Sequence, residues 1–503
     1  MKFSLKRLFL RSVFILLSPG VFAATPNSLF SDNMVLQRDH PIPIWGTGKE
    51  GEHVTVSLGG NSASTTVENG QWRVELPSLP VGGGPLDLRI EGENTFTIHN
   101  VLMGEVWFCS GQSNMQRELG PRPPQPEIEN WQQEAATANI PDIRAFIVPE
   151  RAATAPIEDC QSHWTVCSQE EVTKRISAVA FFMARALHDN LHVPIGIILS
   201  TKGGTPGELW VSRETLESSP VTKSIVSDYE KAVAAYPQQL ADYQQKAPQL
   251  EAEYEKELQE VQAGKPAPRK PSPPSPPLVP GCLYYGMITP LFGFPIRGVA
   301  WYQGESNAKR GKQYQTTLSL LIAEWRRHLG DPDLPFLVVQ VAPWWGTTPD
   351  VREAELRVVK SLPDTALIVT TDVGDKDTHP PHKRPIGERL ALAAEALVYG
   401  EKIEYSGPLF DSATFADGKA IVHFTHVGAG LVAKDGPLEG FELAGSDGKF
   451  VPAQAEIVGD TVEASCSAVS NPTAVRYGWA NFPIVNLFNQ NGLPASPFCS
   501  GDY

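Results

Sequence analysis

Between about residues 25 and 100, short runs alternate apolar and polar residues, as in HVTVSL (53–58), WRVEL (72–76) and LDLRI (86–90). A period of two turns one side of each run toward a core and the other toward water, which predicts half-buried strands. Turn-forming clusters (GTGKEG, GGNS, ENGQ, VGGGP) separate the runs at the spacing of a β-sandwich. From about 101 to 400 the pattern changes. GEVWFCS (104–110), PIGIILS (194–200), IRGVAWY (296–302), PFLVVQV (335–341) and ALIVTTD (366–372) read as strands, and stretches at 172–191, 313–329 and 386–400 read as helices between them. Such alternation predicts an α/β domain in which helices flank a parallel sheet. Beyond 400, AIVHF (420–424) and AVRYGWAN (474–481) return to the β pattern.

One segment breaks the order. Residues 213–262 are polar and helix-prone, and GKPAPRKPSPPSPPLVPG (264–281) follows them. Proline at that density predicts an extended, semi-rigid spacer. The two together read as an inserted, solvated arm without a site of its own. The expected organisation is a β module at 24–100, an α/β domain at 101–400 with an insertion at about 213–280, and a second β module at 401–503. A length of 503 residues, at roughly 150 per domain, agrees with about three.

Composition narrows the class. With 41% hydrophobic and 20% charged residues the chain is neither membrane-embedded nor disordered as a whole. A net charge of −15 argues against a nucleic-acid surface, which needs clustered Lys and Arg. Lys2, Lys6, Arg7 and Arg11 precede the apolar run VFILL (13–17), Pro19-Gly20 ends it, and Val21-Phe22-Ala23 resembles a cleavage site. The run is far short of the ~20 residues that span a bilayer, so residues 1–23 read as a signal peptide cleaved near Ala23. Removing them takes away four basic residues and no acidic one, moving the charge from −15 to −19. The expected product is exported, periplasmic or extracellular, without membrane insertion. Its six cysteines then meet an oxidising setting, where up to three disulfides are possible. Cys160 and Cys167 are close enough in sequence to bridge, Cys466 and Cys499 share the C-terminal region, and Cys109 reads as a buried thiol.

Ligand sites in open parallel sheets gather at the C-terminal strand ends. After the first strand comes GQSNM, with Ser113; after the second, TKGGTPGELW, with Gly203 and Gly204. The third leads into YQGESN, with Gln303, Glu305 and Asn307, and the last into DVGDKDTHPPHK, with Asp372, Asp375, Asp377, His379 and His382. A serine hydroxyl attacks only when an adjacent base takes its proton, and neutral imidazole is the usual base. A carboxylate on the far ring nitrogen fixes the tautomer. Glycine backbone N–H groups and an amide side chain can hold the developing oxyanion. GQSNM lacks the second glycine of a GxSxG elbow, which argues against an ordinary α/β-hydrolase.

With these motifs the sequence resembles the sialate O-acetylesterase family of SGNH-type hydrolases, whose members include esterases acting on plant polysaccharides. The resemblance runs from LFSDNMVLQRDHPIPIWGTGKEGEHVTV through GEVWFCSGQSNMQ, GGTPGELW, GMITPLFGFPIRGVAWYQGESNA and HPPHKRPIGERLA to AVRYGWANFP and NLFNQNGLPASPF. It implies a three-layer α/β/α SGNH domain flanked by β-sandwich-like modules, and hydrolysis of O-acetyl esters on carbohydrates through an acetyl-enzyme. It also implies Ser113 as nucleophile and His379 as base, with an oxyanion hole of Ser113 N–H, Gly204 and Gln303; Gly203 competes for the glycine role. Many relatives carry Asp three residues before the His, where this chain has Lys376. Asp377 is the candidate acid, with Asp375 and Asp372 behind it and a Ser-His dyad as an alternative. Tyr285 stands where Asn is common in relatives, and Glu355 where Gln is. No cofactor or metal is implied, and the expected partner is an acetylated carbohydrate.

Two other readings compete. The Asp/His cluster at 372–382 would suit a metal-dependent hydrolase. A non-catalytic carbohydrate-binding protein would grip glycan through aromatics such as Trp45, Tyr477 and Trp479.

Overall fold

The computed structural model describes residues 23–259 and 268–503. Residues 1–22, almost all of the expected leader, and part of the Pro-rich stretch lie outside the described residues. No helix among the described residues is long and apolar enough to cross a membrane.

The central sheet contains β1 (Thr95–Gly111), β2 (Ile143–Ile147), β3 (Trp164–Val166), β4 (Ile195–Thr201), β5 (Gly298–Tyr302), β6 (Phe336–Val339) and β7 (Thr365–Ile368). Its order is β3-β2-β4-β1-β5-β6-β7, parallel throughout except for β3. Side chains alternate across it, as the pleat requires. Val106 and Phe108 of β1 join a core with Trp301 and Trp325, whereas Trp107 and Cys109 join another with Phe181, Met183 and Leu390. Helices therefore cover both faces. On one lie α2 (Ala178–Leu191) and α6 (Arg384–Leu397); on the other lie α4 (Gly311–Leu329) and α5 (Pro349–Ser361). This is the three-layer α/β/α arrangement.

β1 is 17 residues long and does more than its expected core segment, 104–110. Its first half pairs with Leu86–Glu91 of the N-terminal β module and its second half runs between β4 and β5. The expected boundary at 100 therefore falls inside one continuous strand. Glu105, fully buried at the joint, accepts hydrogen bonds from Arg38 and Gln37 on one side and from Arg297 (2.7 Å) on the other. The C-terminal β segments form two four-stranded sheets and a two-stranded ribbon.

After a short helix at Arg213–Glu217, the insertion continues as one 40-residue helix, α3 (Pro220–Gln259), buried only at its base through Thr222, Ile225 and Val226. At 1.5 Å per residue it is about 60 Å long.

All six cysteines are free thiols. The local bridge expected between Cys160 and Cys167 is absent because the two side chains enter different cores. Cys160 lies beside Ser28 Oγ, and Cys167 donates to Ala138 O. Cys109 is a buried thiol, pushed up to about 12 by burial.

Candidate active site

Three loops meet at the C-terminal end of the sheet around β1, which stays paired with β4 and β5 as far as Gly111. β1 ends at Gly111, and a single helical turn, α1 (Ser113–Gln116), follows. The 3.0 Å contact between Ser113 Oγ and His379 Nε2 joins the loop after β1 to the loop after β7. Asp377 Oδ1 lies 3.1 Å from His379 Nδ1 and accepts the His379 backbone N–H at 2.8 Å. A carboxylate on Nδ1 leaves Nε2 unprotonated toward the serine, the tautomer a base needs. Burial, then the nearby Lys383 ammonium, hold His379 below its ordinary pKa against the pull of Asp377. A lowered pKa favours the neutral imidazole that a proton acceptor needs.

The glycine pair sits against Ser113. A Cβ at Gly203 would lie 3.4 Å from Ser113 Cβ and 3.0 Å from Gln116 Oε1. Gly203 N–H already donates to Gln116 Oε1 (3.0 Å). Gly204 has a φ of 69°, and neither its N–H nor that of Ser113 has a hydrogen-bond partner among the described residues. Two backbone donors are thereby left free near the serine.

Gln303 is placed differently from the expectation. Its side chain is fully buried, and Nε2 shares its two hydrogens among Gln112 Oε1 (3.1 Å), Thr205 O (3.2 Å) and Asn307 Oδ1 (2.8 Å). It braces the residue before Ser113 and the loop after β4 instead of presenting an open donor. Asn307 extends this brace, accepting from Gly207 N and donating to Glu208, which pairs with Arg310.

Other motif residues gather behind the serine. Asn114 Nδ2 donates to Glu305 Oε1 and to Thr378 O, and Asn114 Oδ1 accepts from Lys383 Nζ. Burial lowers the Lys383 pKa to about 7 and raises that of Glu305. Lys383 was not singled out from sequence, although it closes the same HPPHK run as the histidine. On the rim, Glu150 accepts from Gln116 (2.6 Å) and Lys202 (2.5 Å). Burial alone would raise its pKa, but these hydrogen bonds outweigh burial and hold it low.

The carboxylates and imidazoles at 372–382 do not converge. Asp372 takes a two-pronged pair with Arg389, Asp375 caps Asp377 N, and His382 pairs with Glu129 (2.7 Å). Among the described residues no three His, Cys, Asp or Glu side chains form a metal-holding group. The aromatics of the binding-protein reading are packed as well. Tyr477 is fully buried against Phe441, Trp479 lies edge-on to Tyr503, and Trp45 lies under Arg73 and against Phe30. Trp45 borders a cavity of about 1070 Å³ between the N-terminal module and the far end of α4, and no residue of the Ser113 site lines it. Volume therefore does not mark the chemistry here. Of the two departures from relatives, Tyr285 borders that cavity, hydrogen-bonded to Glu214. Glu355 lies nearer the site: a Cβ at Gly304 would come within 2.8 Å of its Oε1.

Residues 287–395, which include Gln303, Glu305, Asp377, His379 and Lys383, match the family model described as carbohydrate esterase, sialic acid-specific acetylesterase. Sialate O-acetylesterases of Homo sapiens and Pongo abelii are each 29% identical over 94% of this chain and 91% of theirs. The crystal structure of a carbohydrate acetylesterase from Xanthomonas citri is 33% identical, covers 96% of this chain and all of that one, and superposes with a TM-score of 0.80. With likeness of that degree along nearly its whole length, the chain belongs to the sialate O-acetylesterase family of carbohydrate esterases.

Proposed function

We propose that this protein hydrolyses O-acetyl esters on carbohydrates as an exported serine esterase, with Ser113 as nucleophile, His379 as general base and Asp377 as its orienting acid. The observation that carries the reading is the chain of contacts Asp377 Oδ1–His379 Nδ1 (3.1 Å) and His379 Nε2–Ser113 Oγ (3.0 Å). His379 takes the hydroxyl proton as Ser113 attacks the acetyl carbonyl, then returns it to the departing sugar oxygen. Water repeats the sequence on the acetyl-enzyme and releases acetate. The N–H groups of Ser113 and Gly204 face the oxyanion, and each such donor is worth about 2.7–4 kcal/mol in the transition state.

The basic, then apolar, N-terminus supports export of the mature enzyme. A net charge of −19 after loss of residues 1–23 gives no general attraction for an anionic sialoside, which favours a neutral acetylated polysaccharide. Acetate release from O-acetylated sialic acid, acetyl-xylan, acetyl-xyloglucan and acetylated pectin, with Ser113→Ala as control, tests both parts. The expected result is turnover on a neutral glycan, abolished in the variant. Near-normal turnover by the variant would refute the nucleophile, and a sialic acid preference would refute the substrate class.

A further inference from the structure

Asn114 stands where the nucleophile and base loops meet. It follows Ser113 directly, and its Nδ2 donates at 2.9 Å to the carbonyl of Thr378, the residue before His379. Among the described residues, only this bond and His379–Ser113 cross from Gln112–Gln116 to the loop 375–380. The same Nδ2 reaches Glu305 Oε1, and Lys383 Nζ donates to Oδ1. An amide has one donor end and one acceptor end, so an ammonium at Oδ1 and a carboxylate at Nδ2 select a single orientation. Asn114 and Lys383 are buried, and Glu305 Oε2 is buried without a hydrogen-bond partner in the described structure. Water cannot easily replace these contacts.

Taking Ser113 and His379 as nucleophile and base, we infer that Asn114 is a positioning residue, oriented by Lys383 and Glu305, that sets the distance between them. Its bond to Thr378 O draws the histidine loop onto α1, and the two charged partners prevent the amide from turning over. Three loops, after β1, β5 and β7, are thus tied at one side chain. The amide touches no reacting atom and acts only through the Ser113–His379 separation.

The test uses the full chain carrying Asn114→Ala, Glu305→Gln, Lys383→Met, the last two combined, and Ser113→Ala. Turnover of 4-nitrophenyl acetate gives kcat and KM, labelling by a fluorophosphonate reads Ser113 reactivity, and circular dichroism reports folding. Misplacement by ~1 Å costs on the order of 100-fold, so Asn114→Ala should lose about that in kcat and labelling with KM within about threefold. Glu305→Gln and Lys383→Met should each lose about tenfold or more. The combined variant should lose less than the product of the two, because it leaves no uncompensated buried charge. A folded Asn114→Ala with kcat within about threefold of wild type, or a loss confined to KM, would overturn the inference. Should Asn114→Ala not fold, the charged pair decides: independent effects of Glu305→Gln and Lys383→Met would overturn it. An active Ser113→Ala instead removes the underlying reading of the site, whereas an inactive one beside an active Asn114→Ala removes this inference alone.

Discussion

At the scale of single residues, the electrostatics around His379 set a measurable pH response. The charged groups acting on the ring are Lys383 and Arg117, which lower its pKa, and Asp377, which raises it; burial lowers it further. Only neutral imidazole can accept the serine proton, so kcat/KM falls as pH drops through this pKa. The acid limb should therefore lie below the ordinary value of about 6.5. Asp377→Asn should move it lower still and cost about 100-fold in kcat/KM, fewer than the ~10⁴ of a fully buried acid because Asp377 is partly exposed. Lys383→Met should move the limb upward. A pH profile from 4.5 to 8 that shifts both variants the same way would contradict this account. Glu355 tests stability. Burial holds its carboxyl neutral well above the usual range, with Val341 N on one oxygen and no partner for the other. A carboxyl raised by folding contributes fully below its unfolded pKa of about 4.3, and the contribution is lost as pH rises through the folded pKa. Glu355→Gln is uncharged at any pH, so its Tm gain over wild type should be larger at pH 8 than at pH 5. The serine, the histidine and the glycine pair were legible because short motifs name them. Asp377 was a choice among three carboxylates, and the contact to Nδ1 came only with the loop's path.

At the scale of elements, strong periodicity was readable and mixed patterns were not. The apolar runs at 195–201 and 298–302 are strands, and 311–329 is a helix, close to expectation. The 172–191 stretch splits at Ser177, whose hydroxyl caps a new helix by accepting from Ala180 N. Strands β2 and β3 and helix α5 went unread. In α5 the charged residues Arg352, Glu353 and Glu355 are buried, so its inward face carries polar residues where an amphipathic pattern has apolar ones. The arm carries a subtler signal. Along α3, Tyr229, Tyr236, Leu240, Tyr243, Leu250 and Tyr254 are half-buried on one side, while Pro268, Pro271, Pro274 and Pro277 are half-buried at every third position. Three residues per turn is the period of a polyproline helix. The two stripes fit a proline leg lying along the tyrosine face. Tyr236→Ser with Tyr243→Ser should speed proteolysis of the arm while kcat stays within about twofold of wild type. Equal proteolysis would show that the stripe is not packed.

At the scale of the whole molecule, the N-terminal module and the central sheet share one continuous strand, a hydrophobic core and one buried carboxylate at the joint. Glu105 is held by Arg38 of the module and Arg297 of the central domain. Glu105→Ala leaves these guanidinium groups without their buried partner and should cost about 3–5 kcal/mol, read as a fall in Tm and in denaturation midpoint. A loss under about 1 kcal/mol would mean that the joint does not depend on this ion-paired carboxylate. Cohesion does not come from disulfides, since all six cysteines are free. Reducing agent should therefore leave Tm unchanged, whereas loss of a native disulfide typically costs about 2–5 kcal/mol. A clear drop on reduction would reveal a bridge.

The amino-acid sequence by itself determined what depends on neighbours along the chain: strand and helix periods, turns, and motifs that set Ser113, Gly203-Gly204, Gln303 and His379 at loop positions. Tertiary structure decided what depends on approach from afar. It brought residues 113 and 379 to 3.0 Å, set Asp377 Oδ1 at 3.1 Å from His379 Nδ1, and turned Gln303 inward as a brace. It also sent Cys160 and Cys167 into separate cores and bound Asn114 to Lys383 across 269 positions. Chain-local pattern reports which surface an element offers. Which groups meet is fixed by how the sheet orders its strands, and with it which loops share an end.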